Sequence, residues 1–186
     1  MKEIFKKLKK LYLTGFFHIF FTTVVNKILS FCSSIFIVKI LSKENFGIYS
    51  YSQNLLSLFL LLDGLGIGSG LLQFATKAKT ENERVEIFSY SLKKGIIINT
   101  LITLSIIIYC KFGILKIEEG RKYLFYMSGF SIFVIIIELF LFFYRAELKN
   151  KEMSELSCVN TVATIICMIV GGKVSGLTGV IIGKYL

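Results

Sequence analysis

The chain has 186 residues, of which 54% are hydrophobic and 18% charged, with no proline and no tryptophan; soluble domains carry about one quarter charged residues. A net charge of +10 would suit nucleic acid only if the basic residues formed a patch on a folded polar surface, and here they separate apolar blocks. With a mean hydropathy of +0.71 and several blocks near the length of about 20 residues that a helix needs to cross hydrocarbon, the bilayer is the solvent and nucleic acid is excluded as a partner.

The chain opens with Lys2, Lys6, Lys7, Lys9 and Lys10 beside Ile4, Phe5, Leu8, Leu11 and Tyr12. This pattern predicts an amphipathic segment over residues 1–15, lying on the anionic cytoplasmic surface of the membrane. The apolar stretch that follows is too long for a cleaved signal peptide and no Ala-x-Ala-like site ends it, so the segment reads as retained. Six apolar stretches follow, at about 16–41, 47–75, 95–112, 123–144, 156–170 and 174–186. The last is shorter than a perpendicular crossing requires and carries Lys184, so it reads as a truncated sixth span. The expected fold is an all-α membrane protein, a bundle of about six transmembrane helices forming a single domain.

Basic residues set the orientation. With a cytoplasmic N-terminus, the inner segments hold the five opening lysines, Lys77, Lys79, Arg84, Lys93, Lys94, Arg145, Lys149 and Lys151; the outer ones hold Lys39, Lys43, Lys111, Lys116, Arg121, Lys122 and Lys173. The inner set is larger by about two to one, which favours N-in.

Polar residues inside the spans are the candidates for function. In the first span Thr23, Lys27, Ser30 and Ser34 fall on one helical face, with Asn26 and Ser33 alongside, opposite Val24, Ile28, Phe31 and Ile35. An ion near the bilayer centre costs at least about 2.5–3.5 kcal/mol, so this stripe faces protein or water. Lys27 lies about 16 Å above the cytoplasmic start of its helix and Asp63 about 18 Å above the cytoplasmic end of the next, at 1.5 Å per residue. Matched depths predict either an ion pair or a shared aqueous cavity. A second stripe, Ser157, Asn160, Thr161 and Thr164, marks the fifth span, and a weaker one, Asn99 and Thr103, the third. Glu138 reads as an interface-reaching or paired group and His18 as an interfacial residue.

Two other patterns read as structural. Gly64, Gly66, Gly68 and Gly70 resemble a phosphate-binding turn only superficially, because no strand precedes them; in a membrane helix Gly64 with Gly68 and Gly66 with Gly70 are small-xxx-small pairs for close packing or a local bend. Cys32, Cys110, Cys158 and Cys167 stand singly in or beside apolar spans, without the spacing of a metal site.

The run Ile37-Val38-Lys39-Ile40-Leu41-Ser42-Lys43-Glu44-Asn45-Phe46-Gly47-Ile48-Tyr49, followed by Asp63-Gly64-Leu65-Gly66, resembles the first two helices of oligosaccharide flippases of the multidrug/oligosaccharidyl-lipid/polysaccharide exporter superfamily. The aromatic-glycine pair after the first helix, expected to form a turn, is its most specific element. A further similarity runs from Arg145 to Ser157 and on to Gly176-Leu177-Thr178-Gly179, a Gly-x-x-Gly of the kind that opens the sixth helix in that family. The resemblance implies the N-terminal half of a transporter with twelve or more helices in two pseudo-symmetric halves. Its cargo would be an undecaprenyl-pyrophosphate-linked oligosaccharide, moved across the bacterial cytoplasmic membrane for surface polysaccharide synthesis. Implied partners are that lipid-linked substrate, membrane lipids, and the missing C-terminal half or polysaccharide assembly proteins. Lys27 would face the pyrophosphate, with Asn26, Ser30, Asp63 and Asn160 completing a polar cavity. No cofactor is implied, and no nucleophile, base and oxyanion site assembles, so no enzyme is expected. The alternatives are a cation or drug antiporter of the same superfamily, with Asp63 as its coupling residue, and a membrane fragment or scaffold that transports nothing.

Overall fold

The computed structural model describes residues 16–185; the amphipathic segment expected over 1–15 lies outside the described residues. Helices α1 (Phe16–Ile40), α2 (Lys43–Leu60), α3 (Ile67–Ala75), α4 (Glu81–Phe112), α5 (Glu118–Met127), α6 (Phe130–Ala146) and α7 (Asn150–Gly183) follow in chain order, with a 3₁₀ turn at Asp63–Gly66. The described residues hold no strand. Among the described residues, five helical stretches are long and apolar enough to cross a membrane: His18–Ile40, Lys43–Ala75, Glu81–Phe112, Glu118–Ala146 and Asn150–Gly183.

Caps explain the helix edges better than hydropathy does. Ser42 is extended (φ −63°, ψ 160°) and its Oγ accepts from Asn45 N at 3.2 Å, so α2 starts at Lys43. Phe46 and Gly47 are therefore helical, and the turn expected at that aromatic-glycine pair sits instead at Leu41–Ser42. Thr80 caps α4 in the same way, accepting from Glu83 N at 3.2 Å, while Lys79 N donates to the Glu83 carboxylate at 2.8 Å. The third helix thus begins 14 residues before the apolar stretch at 95 (81 to 95), because capping and backbone hydrogen bonds define a helix whereas hydropathy defines only its lipid-facing part. At its other end the Arg121 guanidinium donates to the carbonyls of Cys110, at 2.5 Å, and Gly113, at 3.2 Å. Arg121 thus closes a helix C-terminus, where a cation is favoured.

Two breaks shape the bundle. Gly64, Leu65 and Gly66 have φ of 55°, 45° and 83°, so the second span is interrupted within the membrane. Gly64 and Gly68 face α6: a Cβ on Gly64 would lie 2.6 Å from Ile135 Cδ1, and one on Gly68 2.6 Å from Phe142. Gly66 and Gly70 meet nothing within 4 Å, so only the first of the two small-xxx-small pairs brings helices together. The second break is at Ser175–Gly176, where Gly176 adopts φ 59° and ψ −134°, a region that side chains forbid. There the chain reverses. Residues 177–183 run back along the end of the same helix, with Gly179 against Gly171, Val180 against Gly172 and Gly183 against Cys167. The stretch expected as a sixth span is this return segment.

Packing divides into two apolar clusters. Leu56, Ile106, Leu124, Val180 and Ile181 centre one, joining α2, α4, α5 and α7. Leu71, Ala75, Ile135 and Leu139 centre the other, joining α3 to α6. Since lipid tails are as apolar as these side chains, close packing holds such a bundle together more than water exclusion does.

Candidate functional site: a polar cavity between α1, α6 and α7

Helix α1 lies along α7 and turns Ser33 and Ile37 inward, the small Ser33 leaving room for close approach. Asn26 ties the pair: its Nδ2 donates to Ser157 Oγ on α7 at 2.8 Å. Beside this bond Thr23, Asn26, Lys27, Ser30 and Ser157 line a hollow of about 390 Å³.

Ser30 also borders a larger cavity of about 550 Å³, walled by Ser33 and Ser34 of α1, Glu138 of α6, and Asn160, Thr161 and Thr164 of α7. Aromatic rings of Tyr49, Phe130, Phe133 and Tyr185 and apolar side chains such as Ile137, Leu141, Ile165 and Met168 line the rest, so the polar groups form one stripe of a mainly apolar wall. Thr161 and Thr164 return their hydroxyl protons to the carbonyls of Ser157, at 2.9 Å, and Asn160, at 2.8 Å. These threonines keep their lone pairs free to accept, and the Asn160 side chain can both donate and accept. Such groups can hydrogen-bond hydroxyls that lipid tails cannot.

The sequence-based candidates separate into two groups. Asn26, Lys27 and Ser30 line the smaller hollow and Ser30 and Asn160 the larger, so Ser30 is common to both. Asp63 does not join them. Its carboxylate accepts from Asn99 Nδ2, which also donates to Ser131 O at 2.9 Å, while Asn99 Oδ1 accepts from Gly64 N at 3.2 Å. Thr103 extends this buried network to Ser131 Oγ at 3.0 Å and Ser128 O at 3.1 Å. The expected pairing of Lys27 with Asp63 is absent among the described residues, whose ion pairs are Lys149–Glu147 and Lys151–Glu155. Equal depth does not imply adjacency: α1 packs on α7, whereas the break holding Asp63 packs on α4 and α6. The polar residues of the third span accordingly serve this network and not the cavity.

Two charged cavity residues carried no site role in the sequence reading. Glu138 borders the cavity from α6, and Lys184 enters it from the tip of the return segment, donating to Gln53 Oε1 at 2.6 Å and lying 4.4 Å from the centre of the Phe130 ring. The cost of an ammonium in an apolar run was the available signal for Lys184; the reversal that aims it inward was not readable.

No curated protein and no solved structure matches this chain. The family model described as polysaccharide biosynthesis protein matches residues 12–181, a range that takes in every helix around the cavity. A multi-pass helical bundle with a polar cavity within its membrane span and a match of that extent establish that the chain belongs to the polysaccharide biosynthesis protein family.

Proposed function

We propose that the chain translocates lipid-linked oligosaccharide units across the bacterial cytoplasmic membrane, supplying the N-terminal helical half of the transporter with its N-terminus in the cytoplasm. The observation that carries this reading is the cavity of about 550 Å³ bordered by Ser30, Asn160, Thr161 and Thr164 inside a mainly apolar bundle. A sugar headgroup cannot cross hydrocarbon unaided, and a hydrogen-bonding groove with alternating access removes that barrier without covalent chemistry. Lys27, beside Ser30 and deep in α1, meets the phosphate-bearing end of the cargo, and a second helical half closes the polar face of α1.

The test is complementation, with the chain expressed alone or together with the second half, in a strain lacking its flippase. Surface polysaccharide should return with the parent sequence and fall at least tenfold with Asn160→Leu or Lys27→Ala. In parallel, Ser30→Cys on a cysteine-free background should react with a membrane-impermeant maleimide. No restored polysaccharide, together with an unreactive residue 30, would sink the reading.

A second reading, a cation-coupled antiporter, draws on the placement of Asp63 at a helix break inside the membrane without a basic partner among the described ion pairs. It requires substrate-dependent proton flux in vesicles that Asp63→Asn abolishes. Flux unchanged in that variant leaves Asp63 a structural residue.

A further inference from the structure

Lys184, like its neighbour Tyr185, owes its place in the cavity to the chain reversal. Gly183 packs on Cys167, about 25 Å along α7 from Asn150 at 1.5 Å per residue and inside the apolar stretch over 156–170. There the ammonium is half-buried. Its partners are the neutral Gln53 oxygen on α2 and the face of Phe130 on α6. Glu138 borders the same cavity but forms no ion pair with it among the described residues, and lies eight residues, about 12 Å, along α6 from Phe130. A side-chain amide and an aromatic face compensate an ammonium only partly in a low-dielectric site. A phosphate oxygen is a stronger acceptor, because charge-assisted hydrogen bonds are roughly twice as strong as neutral ones.

We propose that Lys184 is a caged anion-binding residue: Gln53 and Phe130 hold its ammonium in the empty cavity, and a phosphate group entering the cavity takes it from Gln53. The inference rests on the transport reading for the source of the phosphate and adds a coupling to it. Gln53 belongs to α2, Phe130 to α6 and Lys184 to the tip of α7, so the exchange loosens the contact of α2 with the other two helices as the anion binds. Tyr185 secures the same tip through its hydroxyl bond to the Tyr126 carbonyl and edge-on contacts with Phe130 and Phe133 at 5.9 and 5.6 Å. Anion binding therefore draws on the ammonium while leaving the ring anchor in place.

The chain lacks tryptophan, so Phe133→Trp supplies a single fluorescent reporter on the cavity wall. In nanodiscs of phosphatidylcholine, titration with inorganic pyrophosphate should give a saturable change. Lys184→Met should weaken it at least tenfold, and Lys184→Arg should keep it within a fewfold. Gln53→Leu, by removing the competing acceptor, should tighten it severalfold, an effect opposite to that expected of a merely structural contact. A second arm replaces part of the phosphatidylcholine with phosphatidylglycerol: a Lys184-dependent signal without pyrophosphate supports the same site and assigns its occupant to the bilayer. The proposal is overturned if Lys184→Met titrates like the parent, or if Gln53→Leu and Lys184→Met lower only the melting temperature. That result with complementation intact removes the role of Lys184 and spares the transport reading; lost complementation with intact Lys184-dependent binding does the reverse.

Discussion

Gly179→Val is expected to undock the return segment and to lower the stability of the purified protein by about 3 kcal/mol, the upper range for overpacking, or roughly 10 °C in melting temperature for a chain of this size. The reason is reciprocal. A Cβ on Gly179 overlaps the Gly171 carbonyl, and a Cβ on Gly171 overlaps that of Gly179. Both obstacles are backbone, so no rotamer change relieves them. Gly70→Ala is the control, because Gly70 is helical with nothing within 4 Å of a built Cβ, and alanine favours a helix. Thermal unfolding followed by circular dichroism in detergent makes the comparison. Equal melting of Gly179→Val and the parent would show that residues 177–183 do not pack on α7.

The consequence reaches the cavity, since the same segment delivers Lys184 and Tyr185 to it. This is the part of the structure that the sequence conceals. Gly176 and Gly179 read as the opening of a further helix, and a helical segment does follow Gly176. Its direction, however, depends on φ and ψ at Gly176 and on the absence of side chains at Gly171 and Gly183, neither of which leaves a periodic signal. Spans and stripes were legible because lipid penalises polar groups strongly and helices repeat every 3.6 residues. The stripes of α1 and α7 do border one cavity, through Ser30 and Asn160. Which helices are neighbours was not legible. Lys27 and Asp63 match in depth, yet α1 packs on α7 while the break holding Asp63 packs on Asn99 and Ser131.

The second large effect belongs to that break. Asn99 is fully buried and uses all three of its hydrogen-bonding positions named here, one for Gly64 N, one for the Asp63 carboxylate and one for the Ser131 carbonyl. Asn99→Leu keeps the volume and strips all three partners. Hydrogen bonds between membrane helices average only about 0.6 kcal/mol, but an orphaned buried group costs about 1–3 kcal/mol, so the loss should be about 3 kcal/mol, shared by the buried Gly64 amide and the half-buried Asp63 carboxylate. The carboxylate's share is testable by a cycle. If the carboxylate is one of the orphans, Asp63→Leu combined with Asn99→Leu should cost about 1–3 kcal/mol less than the two single losses together, within the range for directly coupled residues. Losses additive to within about 0.5 kcal/mol would mean that Asp63 and Asn99 do not act as a unit. The cycle also separates the two readings of Asp63: a double variant that folds and still restores surface polysaccharide makes the residue a brace for the interrupted span, whereas one that folds without transporting assigns the carboxylate to coupling.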